Sequence, residues 1–472
     1  MLEERIRAHF ANAADLVVRD LAVGKFRLRM YFLEGLTAAA DISRFLIEPL
    51  LRAEAPQTEK ELYRNCAERV ICSVVCIPCR DADEVCEKLA NGFCAVVFPG
   101  LDAALACEAR SGVKRGPAPP DVENTVKGAK DAFTETLRIN TSLVRTHLHT
   151  TELELRETTV GRRSGTMVSV LSIRGLTDPE LIQAVMRRIG EIDIDGLLFP
   201  AAVEEYLTGS RATAFPLLQY TERTDRFCQG LLHGQVGLLV DGLPLGYLLP
   251  VNIGVMMTAA EDQSTDYVTA SARRMIRYAA LLISLLLPAL YVAMAQFYPE
   301  MIPIRLLRAI IQSKEQVPFA TVAEVLGLLV SFELLQEAGL HLPQSIGQSV
   351  SIIGGLVVGT AAVEARLISP AALIVVSVAG ICGFALPGQD LSGAVRAWRF
   401  FLTVCAAIAG LFGLTLGGIC LTVHLGALTS LGVPYLSPFS GVSTGGVLLR
   451  RRMAEQKHRP WIFRPRDLRN QR

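Results

Sequence analysis

Four groups of residues have the types and spacings that could do chemistry. Cys76-Ile-Pro-Cys79 has CxxC spacing, but a structural zinc site needs four ligands, and the other nine of the 11 cysteines show no second matched pair. Cys86 and Cys94 fall at apolar periodic positions, so these thiols are expected to pack as small hydrophobes. His147-Leu-His149 would put both imidazoles on one face of a strand, where they could bridge a divalent ion. No third ligand is evident, and an edge strand with solvated histidines is the plainer reading. Glu324, Glu333 and Glu337 stand in an apolar stretch, where carboxylates facing lipid would be costly. Either they form a cation site buried between helices, or they lie at an interface with their acids in water.

The fourth group is the segment 345–365. Gly347, Ser351, Gly355 and Gly359 recur every four residues, a ridge of small side chains that lets another helix approach closely. A second face carries Ser345, Ser349, Ile353, Leu356, Thr360 and Glu364. Polar ends around an apolar middle are what a pore-lining helix with a hydrophobic constriction would show. In a ring of identical copies Glu364 would form an acidic mouth that concentrates cations. The alternative is ordinary helix packing, with Glu364 paired to Arg366 or Arg308. No phosphate-cradling loop, dinucleotide fingerprint or nucleophile elbow occurs, so neither catalysis nor a metal or cofactor is expected.

The elements that must position these residues follow from charge and hydropathy. The 472 residues are 51% apolar and 20% charged with net charge +1, which argues against a nucleic-acid binder. Residues 1–277 carry 32 basic and 37 acidic side chains, 278–448 only 6 and 7, and 449–472 carry 9 and 2. A polar front, an apolar body and a basic tail are expected of an integral membrane protein with a large soluble domain. No apolar run near the start is long enough for a signal sequence, so the N-terminal region is expected in the cytosol with its cysteines reduced.

Within the front, strand-like runs at 28–33, 70–76, 94–98, 168–173 and 237–240 alternate with helical patterns, which predicts an α/β domain. Thr177-Asp-Pro-Glu180 reads as a capping box opening a helix through Ile189. The stretch 83–101, DEVCEKLANGFCAVVFPGL, aligns without a gap to 225–243, DRFCQGLLHGQVGLLVDGL. Upstream, LRMYFLEGL at 28–36 aligns with VSVLSIRGL at 168–176. Two related α/β subdomains are therefore predicted, at 1–110 and 141–270, joined by a glycine- and proline-punctuated segment, 111–140. A helical membrane domain follows at 271–448, then a basic cytoplasmic tail at 449–472 that could also hold anionic lipid headgroups.

Spans are predicted at about 278–298, 345–365, 367–386 and 398–428, the last too long for one crossing and so tilted, extended past the bilayer or broken at Gly417-Gly418, with 302–342 forming interfacial or buried helices. Arg273, Arg274 and Arg277 before the first span and the arginines of the tail place both ends on the cytoplasmic side, leaving Arg396 and Arg399 on the outer one.

The run GLHLPQSIGQSVSIIGGLVVGTAAVEARLISPA at 339–371, with FELLQEAG at 332–339, LGVPYLSPF at 431–439, TERTD at 221–225, LVDGLP at 239–244, the LP-LY run at 287–291 and EIDIDGLL at 191–198, resembles the GerA-type family of spore germination receptor A subunits, in family order from about Lys127 to the tail. Gln336 stands where that family commonly has arginine, and Thr224 where TERPD has proline. The resemblance implies an integral protein of the spore inner membrane that partners a transporter-like B subunit and a lipoprotein C subunit. It also implies a homo-oligomer, a ring of five, that releases K⁺ and Na⁺ on nutrient sensing; the pore would then fall on 345–365. Stage V sporulation protein AF resembles the same pattern and implies an auxiliary ion-release channel instead. A transporter, a membrane-embedded hydrolase using the three glutamates and a purely structural scaffold are further readings, and no duplicated membrane half or nucleophile accompanies the first two.

Overall fold

The computed structural model describes residues 2–53, 56–110, 120, 123, 125, 127–209, 212–341, 359–437, 439 and 448–470. The largely apolar runs Leu16–Val23 (β1) and Phe26–Leu33 (β2) fold as a hairpin, and Phe93–Phe98 (β4) and Ala103–Glu108 (β5) form a second one. With Cys76–Cys79 (β3) they make a five-stranded sheet in the order β1-β2-β4-β5-β3, antiparallel throughout. Every residue of β4 is buried, because a core lies on each face. One core holds Leu28, Ile42, Leu50 and Cys94; the other seats the helices Leu2–His9 and Ala82–Ala90.

The second sheet repeats the first. Leu153–Val160 (β6), Thr166–Ile173 (β7), Gln219–Thr221 (β8), Val236–Val240 (β9) and Gly246–Leu249 (β10) pair in the order β6-β7-β9-β10-β8, again antiparallel. The aligned segments fall on equivalent elements: the helix Ala82–Ala90 runs into β4 and the helix Thr224–Leu232 into β9. The turn glycine between helix and strand has positive φ in both, +81° at Gly92 and +93° at Gly234, a conformation that only glycine adopts cheaply. The helices Pro179–Gly190 and Pro200–Thr208 cover one face, Leu137–His147 and Thr224–Leu232 the other. Helix Leu137–His147 crosses the boundary expected at 140. It also ties the two units together: Arg145 pairs with Asp15, both buried, and Ser142 donates to the Gly35 carbonyl at 2.9 Å.

Three local expectations change. Cys66–Val70 is helical and the strand begins only at Cys76. His147 ends a helix rather than lying in a strand. The cap of Pro179–Gly190 is Asp178, whose carboxylate accepts from Glu180 N, while Thr177 Oγ1 accepts from Ile173 N.

In the helical half, Tyr267–Phe297 and Gln389–Ala427 are long and apolar enough to cross a membrane. The first starts eleven residues before the expected 278, capped by Asp266, and continues through Pro288. The second is not one rod. Ala409 and Gly410 leave helical geometry, Gly410 with φ 61° and ψ −138°. The Trp398 and His424 rings lie 5.3 Å apart, where a straight helix would separate them by about 39 Å. The chain is therefore a helical hairpin with its tip at Ala409–Gly410, not at Gly417–Gly418. Gly413 and Gly417 serve the packing of the arms instead. A Cβ on Gly413 would sit 2.0 Å from the Cys405 carbonyl oxygen, and one on Gly417 would sit 2.7 Å from Leu402 Cδ2. Their bare backbones let the two arms touch. The expected span 367–386 is a 15-residue helix, Pro370–Phe384, about 22 Å long. The region 302–342 forms the helices Ile304–Lys314 and Thr321–His341.

Candidate functional site

Of the face expected to line a pore, Ser345, Ser349, Ile353 and Leu356 lie outside the described residues, as do Gly347, Ser351 and Gly355 of the ridge. Gly359 is buried, and a Cβ there would meet both Leu373 methyl carbons at 3.6 Å, so this end of the ridge packs against helix Pro370–Phe384. Thr360 and Glu364 are exposed. Arg366 then turns the chain at φ 57°, and buried Ser369 caps the next helix.

The three acids have separate surroundings. Glu324 is buried; its Oε2 accepts from Ser369 N at 2.9 Å, and Lys314 Nζ lies 3.8 Å from Oε1. Glu333 receives Arg396 at 3.0 Å and buried Arg399 at 3.1 Å. Glu337 is exposed. Glu324 and Glu333 are thus counter-charged by protein cations, which is what makes a carboxylate tolerable among apolar helices. Beside Glu333 a cavity of about 300 Å³ opens between Leu329, Gly393, Ala397 and Phe400. Arg399 is held in this polar cluster, rather than standing free at an outer surface.

The soluble and helical halves meet through two connections. At the first, buried Asp262 takes both guanidinium nitrogens of Arg277 at 2.6 Å and Arg274 at 3.2 Å, while Arg273 pairs with Glu261 at 3.0 Å. Burial alone would raise the Asp262 carboxyl, but Arg277 and Arg274 outweigh it and hold it below the usual range. At the second, Phe215, Leu217, Val251 and Ile253 share one core with Leu285, Ala289, Leu402, Leu425 and Tyr435. Thr213 Oγ1 lies 3.0 Å from His424 Nε2, and Ser430 donates to the Leu217 carbonyl at 2.6 Å. Close by, burial and the negative charge of Asp390 push Glu204 up to about 7.

The tail closes back on the same side. Arg450, nearly buried, donates to the Thr265 and Gln263 carbonyls, and its backbone N–H donates to Ser271 Oγ at 3.0 Å. Arg459 donates to the Leu232 carbonyl at 2.8 Å, and Arg466 N to Leu176 O at 2.9 Å. Arg451, Lys457, Arg464 and Arg466 keep exposed side chains. The arrangement suits mechanical coupling between halves. Sequence reasoning marked Arg273–Arg277 and counted Arg450 only as charge in the tail; it missed Asp262, and it missed Phe215 and His424, whose partners are distant in the chain.

The two motifs of the front resolve differently. Cys76 and Cys79 pack into cores on opposite faces of β3, so the CxxC cannot chelate. Among the described residues no cluster of three or more His, Cys, Asp or Glu could hold a metal. His147 Nε2 meets Asp131 at 2.6 Å and Thr224 Oγ1 at 3.1 Å. The bond to Asp131 raises the imidazole against the pull of burial. Burial works to raise Asp131, but its hydrogen bonds from His147 and Thr224 prevail and hold it at about 2.

The sequence is 33% identical over 439 residues to Spore germination protein KA of Bacillus subtilis (strain 168), covering 92% of this chain and 80% of that one. It is 34% identical over 376 residues to Spore germination protein A1 of the same organism, covering 79% and 78%. It is 29% identical over 466 residues to that organism's Stage V sporulation protein AF, covering 98% and 94%. A solved structure, the N-terminal domain of the A subunit of the Bacillus megaterium spore germinant receptor GerK3, is similar with a TM-score of 0.41 and 22% identity, over 52% of this chain and 92% of that one. Residues 4–462 match the Bacillus/Clostridium GerA spore germination proteins, and with so nearly the whole length matched the chain belongs to that family.

Proposed function

We propose that this chain is a germinant receptor A subunit that assembles into a homo-oligomeric ring of five and forms a ligand-gated monovalent cation channel in the spore inner membrane. Its opening would release K⁺ and Na⁺ and start germination. The observation that carries the reading is family membership over residues 4–462 together with relatives named as spore germination proteins. The partners are a transporter-like B subunit, a lipoprotein C subunit and anionic lipid, the last met by the exposed cations of the tail. The soluble half and tail face the cytoplasm, and the chain acts without catalysis.

In this reading the pore is the face Ser345, Ser349, Ile353, Leu356, Thr360 and Glu364. A partner's bound state opens it by favouring the open ring over the closed one. The Asp262–Arg277 pair and the shared core around Phe215 carry movement from the soluble half to the first long helix. The match to Stage V sporulation protein AF, over 98% of this chain and 94% of that one, supports the second reading, an auxiliary ion-release channel.

The test is purified protein in liposomes loaded with K⁺ or Na⁺. Ion efflux altered by Leu356→Ala and by Glu364→Gln supports the channel; efflux indifferent to every substitution on 345–365 removes the pore assignment. Uptake driven against a gradient would mark a transporter. A requirement for B and C subunits separates the receptor from the auxiliary channel.

A further inference from the structure

We propose that Cys76 and Cys107 are a paired dithiol that hydrogen peroxide converts into an intramolecular disulfide, a modification site in the soluble half independent of ion conduction. The two residues are direct partners across the antiparallel β3–β5 ladder. Their sulfurs lie 3.2 Å apart as free thiols. Directly opposed antiparallel residues keep Cα atoms about 4.5–5.5 Å apart, inside the roughly 4.4–6.8 Å range that a disulfide accepts. Closure therefore asks the sulfurs to rotate together and leaves the strands in register.

The pair is asymmetric in the way such chemistry requires. β3 is the edge strand, and Cys76 on it is half-buried, open to a small oxidant; Cys107 on β5 is fully buried. The hydrogen bond from Cys107 lowers the Cys76 thiol against the effect of burial. The same bond, with burial, raises Cys107. Cys76 is thus the thiolate that attacks first. Its sulfur takes one peroxide oxygen as the O–O bond breaks, and hydroxide leaves to become water. The Cys107 sulfur then attacks the sulfenic acid; the S–S bond forms, the S–O bond breaks, and the departing hydroxide takes the Cys107 proton as a second water. Two thiols lose two electrons and two protons to one peroxide.

The other thiols of this sheet are poorly placed. Cys94 opposes Cys107 on β4 but is fully buried, with burial raising its thiol. Cys79 lies on the far face. A cytosolic thiol pair is ordinarily reduced, so the disulfide belongs to oxidative exposure and reverses with a dithiol.

The experiment uses the full-length protein purified in detergent, exposed to hydrogen peroxide, alkylated with N-ethylmaleimide and digested without reductant for mass spectrometry. The expected product is a peptide pair joined through Cys76 and Cys107, two hydrogens lighter than the free peptides. It should vanish after dithiothreitol, be absent in Cys107→Ser and persist in Cys94→Ser. Because the wild-type digest is decisive by itself, poor folding of a serine variant does not shield the proposal. Full alkylation of Cys76 after peroxide, its conversion to sulfinic acid with no cross-link, or a link from Cys76 to another cysteine would each overturn it.

Discussion

Arg145 and Asp15 are 130 residues apart, yet both are almost wholly buried, with Arg145 Nη2 donating to Asp15 Oδ1 at 2.7 Å. Removing one partner strands the other charge in the interior, which typically costs about 3–5 kcal/mol. Asp15→Ala should therefore lower the thermal midpoint of the detergent-solubilised protein by several degrees, and the double change with Arg145→Met should recover part of the loss. A double variant as unstable as the sum of its parts would show that the pair is not coupled. The His147–Asp131 pair makes a prediction in pH. The imidazole is raised above 6.5 in the folded chain, so its stabilisation is complete below that value and is lost as pH climbs through the raised pKa. Asp131 is held at about 2, so its own contribution is present above 3.8 and fades as pH falls toward 2. Stability measured by denaturant between pH 6 and 9 should fall in the wild type and be flatter in His147→Gln; equal slopes would remove the role. None of these pairs was legible in the sequence, since each is made by folding rather than spacing. His147-Leu-His149 even pointed the wrong way. A strand was read from alternation, whereas Leu137, Val144 and their neighbours form the buried face of a helix.

At the scale of elements, the hairpin tip depends on a conformation and a contact together. Gly410 sits at φ 61°, ψ −138°, and a Cβ there would lie 3.0–3.1 Å from Phe297 at the end of the first long helix. A side chain forced into this region costs about 1–3 kcal/mol before any clash. Gly410→Val should destabilise the protein by that amount or more, whereas Gly418→Val, with open space around its Cβ, should not. Thermal melts in detergent check both, and equal sensitivity at the two sites would return the break to where hydropathy suggested it. Hydropathy could not find the tip because the sequence on both sides of it, from Phe400 to Val423, carries no charge; a turn inside it has no polar signal, and glycines serving close packing at 413 and 417 look the same as one serving a turn. In the soluble half, β2, β4, β7 and β9 were readable from their β-branched and aromatic runs. β5 was not, being rich in alanine, and neither was the short β10. The repeat was visible because helix, positive-φ glycine and buried strand impose the same residue types twice.

For the whole molecule, the question is how the end of the chain bears on the junction between its halves. The basic tail was legible as charge, and charge suggested lipid. Folding uses part of it otherwise. Arg450 fills the space beneath the first long helix, donating to carbonyls of Gln263 and Thr265, and Arg452 stacks on Tyr267 at 4.8 Å. Arg459 and Arg466 then fasten the far end to residues 232 and 176 of the second subdomain. The tail is thereby a strap across the path through which movement would pass from the soluble half to Arg274 and Arg277. A hydrogen bond from a charged donor, here to half-buried carbonyls, contributes about 1.5–3 kcal/mol. Arg450→Ala should therefore speed amide exchange around 261–271 by about ten- to hundredfold, with residues 174–176 and 232–234 joining them when the chain is ended after Leu449. Strands β1 to β5, which the tail does not touch in the described residues, should exchange at the wild-type rate in both. Faster exchange everywhere would mean that the tail supports the fold as a whole, and unchanged exchange at 261–271 would mean that Asp262 holds the junction without it.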